Sequence, residues 1–363
     1  MAHPSLDDAR ELSDWQPALG VISVYMGFDP ADRGGAWRIE LRNGVEAAVK
    51  LAEDAEHERK IGVRETAKRL LERFDDEELR PPPRGEAGFV EVSNGKGREH
   101  WWGTGVEPVL PAVVLGERPI ITELVDLCGR GEPAAVALLS SERVRLLRFA
   151  EGQLEEIDEW ELTILSGDWR ERKADRPPDP ARVQGVSASG HDQYGERLEH
   201  NRHRFLVECG RLAGERLREG GLGEIVAFGP RPDAAAFWEG FGETQMRAEL
   251  GGEEDLISMP RGKLIEEVAS AVTKLRADRD RDFVERALEQ ALGGSHGATG
   301  PQETMEALTE RRVEHLALDP ALGEPVEAMV REALAGDAEI TIARDEVAEL
   351  LQPAEGVAAI LRY

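Results

Sequence analysis

The side chains best suited to chemistry lie in one polar stretch, residues 184–218. Its first part, residues 186–194, is rich in small and polar residues and predicts a loop that does not fold on itself. Gly190, His191 and Gln193 lie in this loop. A polar loop that leads into a basic helix could present a reactive tip to a polyanion.

The second part of the stretch, residues 195–218, predicts an amphipathic helix. Apolar residues recur at helical spacing and are expected to face a core: Leu198, Phe205, Cys209, Leu212 and Ala213. Arginines spaced by seven form a stripe on another face: Arg197, Arg204, Arg211 and Arg218. An ordinary surface helix is the alternative, because Glu208 and Glu215 each follow one of these arginines by four residues and could pair with it.

Metal and cofactor chemistry finds little support in the sequence. His200 and His203 are three residues apart and His191 lies upstream, but no cysteine or carboxylate pattern completes a zinc site. Two scattered cysteines build neither a disulfide framework nor a metal site. The glycine-rich residues 93–97 predict a hairpin turn, because a phosphate loop needs a following helix. We therefore expect no metal and no cofactor.

The charge of the chain is strongly acidic, with a formal net charge of −27 over 363 residues. Taken alone, this disfavours binding to nucleic acid, since phosphate contacts need local lysine and arginine. The balance is uneven, however, because residues 170–218 hold 11 basic and 8 acidic residues. No apolar run is long enough to span a bilayer and no signal peptide is evident, so the sequence predicts a soluble cytoplasmic protein without membrane contact.

The order of predicted elements indicates an α/β protein with three consecutive domains. Strands and helices in residues 1–131 form the first domain, and the glycines at 129 and 131 end its last helix. Residues 132–292 begin with a three-stranded meander and include short apolar runs such as 256–259, which predicts a strand. Residues 293–363 alternate helix and strand and predict a small α/β/α domain.

Four stretches resemble the bacterial branch of the archaeo-eukaryotic peptide-chain release factors (baeRF), which is related to the Vms-type factors. The segment LGVISVYMGFDP is similar to the opening strand and turn of that family, and VEPVLPAVVLGERPIITELVDL to the end of its N-terminal domain. AAVALLSSERVRLLRF resembles the meander that opens its central, RNase H-like domain. ETMEALTERRVEHLAL and GVAAILRY resemble its C-terminal domain, which has the fold of a kink-turn-binding ribosomal protein.

The resemblance implies a function for the polar stretch. In such factors, a loop before a long central helix reaches the peptidyl-transferase centre and carries a glutamine, usually within GGQ, that places the attacking water. The matching residue is Gln193, preceded by Gly190, and the implied partners are the large ribosomal subunit and peptidyl-tRNA. Residues expected to bind RNA are Arg197, His200, Arg202, Arg204 and Arg211. The oligomeric state is not indicated.

The sequence departs from the family pattern at the candidate catalytic residues. Gly190 is separated from Gln193 by His191 and Asp192, so neither GGQ nor GSQ is present. Three interpretations stay open. The chain is a release or rescue factor that frees nascent chains, a non-catalytic ribosome- or tRNA-binding factor like Pelota, or a nuclease that cuts tRNA near its 3′ end. In the last case His191 would be the general base.

Overall fold

The computed structural model describes residues 3–28, 35–75, 84–109, 113–162, 189–242, 247–252, 254, 256–293 and 296–363. It confirms the predicted α/β class, since these residues form helices and three separate sheets. They form two compact units, one of Met1–Glu132 with Arg276–Tyr363 and one of Pro133–Leu275. The boundaries of the three predicted domains stay a prediction. Among the described residues, no helix has the length and apolar character needed to cross a membrane.

The first sheet is built from four antiparallel strands in the order β3-β2-β1-β4. The strands are β1 (Val21–Gly27), β2 (Gly85–Glu91), β3 (Glu99–Thr104) and β4 (Val113–Gly116). The helices of this region are α1 (Leu6–Ser13), α2 (Ala36–Leu51), α3 (His57–Asp75) and α4 (Thr122–Gly131). The predicted hairpin around residues 93–97 is confirmed, because β2 pairs with β3. Helix α1 was not predicted, although Ser5 and Asp8 form a capping box at its start.

The second sheet lies in the other unit, in the order β7-β6-β5-β8-β9. Its strands are β5 (Ala134–Leu139), β6 (Arg143–Ala150), β7 (Gln153–Glu161), β8 (Glu224–Phe228) and β9 (Arg247–Gly252). Strands β5, β6 and β7 form the predicted antiparallel meander, whereas β8 and β9 run parallel to β5. This order and these directions are those expected of an RNase H-like sheet. Helix α5 (Ser189–Gly220) and helix α6 (Arg231–Phe241) pack with one face, and helix α7 (Arg261–Leu292) packs with the other.

One predicted strand of this region is wrong. Residues 256–259 form a turn that leads into α7, and the fifth strand of the sheet is β9 instead. Leu256 is buried because it packs in the same core as Val268 and Val272 of α7. Its apolar character therefore reflects burial of a loop rather than a place in the sheet.

The third sheet has the order β10-β13-β11-β12 and lies in the same unit as the first. Its strands are β10 (Gly297–Thr299), β11 (Val313–Leu318), β12 (Glu339–Ile342) and β13 (Val357–Leu361). The helices between them are α8 (Pro301–Thr309), α9 (Glu324–Ala335) and α10 (Asp345–Leu350). All but β10 follow the alternation of helix and strand that the sequence predicts for residues 293–363.

Candidate functional site on the central helix

Helix α5 contains all the candidate site residues, and its apolar stripe fixes which of its faces is exposed. Leu206, Cys209, Ala213 and Leu217 are at most 2 % exposed. Their spacing of three and four residues places them on one side of the helix, where they pack with strand β5 and helix α6. Burial of Cys209 and Ala213 was predicted, whereas Leu198, Phe205 and Leu212 are only half-buried. The opposite side of α5 is left to polar and charged residues.

Two glycines allow α5 and α6 to approach backbone to backbone. A methyl group added at Gly210 of α5 would lie 2.0 Å from the carbonyl oxygen of Phe237. One added at Gly240 of α6 would lie 1.7 Å from the carbonyl oxygen of Val207. Neither distance is possible for real atoms, so α5 is held at a position that only glycine permits.

The start of α5 corrects the predicted loop. Residues 186–188 lie outside the described residues, and the helix begins at Ser189, six residues before the predicted start. Gly190, His191 and Gln193 are therefore in the first turns of a helix. The two glycines at 190 and 195 each weaken a helix by about 1 kcal/mol, which is why the pattern predicted a loop. Nothing else in the segment opposes the helix, since it holds no proline and Asp192 places negative charge at the positive end.

The side chains of residues 189–197, which include the candidate Arg197, lie outside the described part of the structure. The backbone still gives the first turns of α5 a chemical property. The first amide groups of a helix have no partner within the helix, and the helix dipole adds partial positive charge there. The region around Gly190 is thus suited to an anion or a developing oxyanion.

The predicted RNA-binding arginines differ in what they contact. Arg202 donates to a carboxylate oxygen of Glu142, in the turn between β5 and β6, at 2.6 Å. Arg211 is bound on both sides, by Glu208 at 2.7 Å and by Glu215 at 2.6 Å. The hydrogen bond from Arg211 lowers the pKa of Glu208, so this carboxylate is held in its charged form.

Two further members of the predicted set are exposed. Arg204 and His200 point away from the core, and no partner is seen for either among the described residues. His203 is also exposed and lies 3.2 Å from a carboxylate oxygen of Glu239 on α6. No group of three metal-binding side chains occurs within the part of the chain that is described.

Arg216, which the sequence did not single out, also forms charged contacts on α5. Arg216 donates to Asp158 of β7 at 3.1 Å and to Glu219 at 3.2 Å, and these contacts raise the pKa of its guanidinium. Asp158 belongs to an acidic strand whose other carboxylates pair with arginines of β6. The acidic composition of residues 155–161 was visible in the sequence, but the identity of the partners required the fold.

Part of the chain, including α5, matches a known protein family. Residues 119–271 match the family described as bacterial archaeo-eukaryotic release factor family 10. This match covers α4, the whole second sheet and α5. No curated protein matches the chain. Over these residues the match confirms the predicted resemblance to the bacterial archaeo-eukaryotic release factors.

Solved structures of low identity also align with the chain. An archaeal translation termination factor, aRF1, is 18 % identical and covers 99 % of this chain and 98 % of its own, with a TM-score of 0.27. Pelota from Archaeoglobus fulgidus is 15 % identical and covers 77 % of this chain and 79 % of its own, with a TM-score of 0.37. A model of ribosome-bound archaeal Pelota and ABCE1 is 14 % identical and covers 100 % of this chain and 95 % of its own, with a TM-score of 0.42.

Proposed function

We propose that this chain is a cytoplasmic, ribosome-associated rescue factor that frees nascent chains from peptidyl-tRNA on stalled ribosomes. The observation that supports this most directly is the family match over residues 119–271, which includes the whole of α5. In this proposal the N-terminal end of α5 reaches the peptidyl-transferase centre, and Gln193 positions the water that attacks the ester.

The proposed ester hydrolysis requires few protein side chains. Ester hydrolysis needs a positioned water and donors for the oxyanion that develops, and both can be supplied by a helix N-terminus near a small residue. Gly190 allows the backbone to approach the substrate closely. The first turns of α5 also hold His191, which would be the general base if the reaction were cleavage of the tRNA instead.

A second candidate is a non-catalytic factor that binds the ribosome or tRNA. One observation favours it. Arg202 and Arg211 already bind carboxylates of the same unit, so the charges of these two arginines are balanced within the protein. Asp192, next to Gln193, would also oppose an oxyanion through repulsion between like charges.

The test is incubation of purified protein with stalled ribosomes that carry labelled peptidyl-tRNA. Wild type is compared with Gln193→Ala, His191→Ala and a matched control, Gln153→Ala, which changes an exposed glutamine on β7. Hydrolysis predicts that only Gln193→Ala loses peptide release while all four proteins still co-sediment with ribosomes. The tRNA 3′ end must then be intact.

Other outcomes assign the other functions. Release with a shortened tRNA that depends on His191 would show a nuclease. Co-sedimentation without release by any variant would show a binding factor. No co-sedimentation at low or moderate salt would refute ribosome association altogether, since a contact with RNA phosphates is strongest at low salt.

A further inference from the structure

Helix α4 is almost completely enclosed, although it carries two acidic residues. Eight of its residues are buried: Thr122, Glu123, Leu124, Val125, Asp126, Leu127, Cys128 and Gly131. The apolar ones pack in a core that includes Val326, Met329 and Val330 of α9. Buried carboxylates are stable only when they are paired and hydrogen-bonded. The partners of α4 come from a distant part of the chain.

The N-terminal end of α4 is capped from α9. The residue before the helix, Ile121, offers no side-chain acceptor. Instead, the carboxylate of Glu327 accepts the backbone N–H of Thr122 at 2.9 Å and that of Ile121 at 3.1 Å. This carboxylate satisfies two amides that the helix leaves free, and it places negative charge at the positive end of the helix dipole. Glu327 is 205 residues away from Thr122 in sequence.

The buried acidic side of α4 is neutralised by Arg344, the residue before α10. Its guanidinium donates to Glu123 at 3.0 Å and to Asp126 at 2.8 Å. Arg130 of α4 itself adds a 2.6 Å bond to Asp126. Burial nevertheless raises the pKa of Glu123, so desolvation of this carboxylate outweighs the attraction of the two arginines.

The C-terminal end of α4 is held by Arg276 of α7. Its guanidinium donates to the carbonyl oxygen of Arg130, and to that of Glu132 at 2.5 Å. A cation at the carboxyl end of a helix is favourable for the same reason that an anion is favourable at the other end. Both ends and one side of α4 therefore receive a charge of the required sign from residues after 275.

We propose that Arg276, Glu327 and Arg344 form a charge clamp, and that the order of α4 depends on it. The clamp then adds to the contacts by which residues before 133 and residues after 275 are held together in one unit. The apolar contacts between α4 and α9 add to this attachment but do not determine the direction of α4. The charged contacts determine it, because in a reversed α4 Glu327 would lie at the negative end of the helix dipole and Arg276 at the positive end. This proposal is independent of the catalytic one.

The test is hydrogen exchange of the full chain, followed by mass spectrometry of peptides. Arg344→Met leaves the buried carboxylates of Glu123 and Asp126 with Arg130 but without their second guanidinium partner. Glu327→Gln removes the capping charge together with its 3.5 Å ion pair to Arg331. The control is Arg281→Met, which removes an exposed ion pair with Glu346. We expect exchange across residues 119–131 to accelerate by roughly tenfold or more in Arg344→Met and by a smaller factor in Glu327→Gln, because loss of one partner of a buried pair is strongly destabilising. Arg281→Met should leave exchange in this peptide unchanged.

A rescue variant separates the clamp from a general loss of stability. Replacing Glu123 and Asp126 with Gln and Asn in the Arg344→Met protein removes the carboxylate charges that have lost Arg344, so it should recover most of the lost protection of α4. Unchanged exchange of residues 119–131 in both single variants would overturn the proposal. Acceleration of equal size in peptides of β5 and β6, with no rescue, would overturn it as well. If Arg344→Met does not fold, Glu327→Gln alone decides, since it retains the shape of the side chain.

Discussion

Substitution of Gly240 by alanine should loosen the attachment of the central helix. The added methyl group would lie 1.7 Å from the carbonyl oxygen of Val207, so α5 and α6 would have to separate by more than about 1 Å. A clashing side chain could rotate away, but a backbone carbonyl cannot, so the two helices must move apart. We expect the structural change to spread along the α5–α6 contact.

The magnitude follows from two opposed effects. Overpacking of a well-packed interface typically lowers the free energy of unfolding by about 1–3 kcal/mol, and a forced backbone shift lies at the upper end of that range. Alanine is a better helix former than glycine by about 1 kcal/mol, which offsets part of the loss. We therefore expect Gly240→Ala to destabilise the unit of residues 133–275 by about 2 kcal/mol.

The measurement is urea unfolding, combined with hydrogen exchange of the peptides that cover α5 and α6. Gly262→Ala is the matched control, because this glycine is also helical and a methyl group there meets no described atom within 4 Å. The control should stabilise the protein by up to about 1 kcal/mol. Equal stability of Gly240→Ala and wild type, or a change of the same sign in both variants, would refute the close contact of α5 with α6.

Three further substitutions have defined outcomes. Burial lowers the pKa of His315 to about 3, so its imidazole stays neutral in the folded protein while the unfolded chain takes up a proton near pH 6.5. The free energy of unfolding should then fall by about 1.4 kcal/mol per pH unit from pH 6.5 towards 3, and His315→Phe should flatten that slope in denaturant titrations. Burial raises the pKa of Glu86, so its contribution to stability is greatest below pH 4.5 and is lost as the pH rises through the raised value. Glu86→Gln should weaken this pH dependence, and an unchanged profile would contradict the assignment. Arg202→Ala removes a partly exposed pair with Glu142 and should lower stability by at most about 1 kcal/mol in thermal unfolding.

The C-terminal elements could be predicted from sequence because each carries a complete local pattern. β11 and β13 are short apolar runs, and α9 between them has helical spacing and is followed by Gly336. Local patterns of this kind need no knowledge of distant residues. The same principle explains the failure at residues 256–259, because an apolar run is equally consistent with a buried loop.

The candidate site was only partly predictable. The spacing of the arginines on α5 was sufficient to place them on the surface, since the period of a helix fixes the face. Their partners were not predictable where they lie on other elements. Glu142 lies 60 residues away from Arg202 in sequence, and Asp158 lies 58 residues away from Arg216. The pairing of Arg211 was predictable because Glu215 is one helical turn away.

The pairing of the arginines determines which of them suit an RNA backbone. A phosphate that binds Arg202 or Arg211 must first displace a carboxylate, and the displaced carboxylate then repels the phosphate. Arg204 carries no such penalty, because it is exposed and has no partner among the described residues. When an arginine without a bound carboxylate contacts a phosphate, it displaces a cation from the RNA, and this release favours binding. The geometry of α5 therefore ranks Arg204 ahead of Arg202 and Arg211 as a phosphate contact in the proposed function.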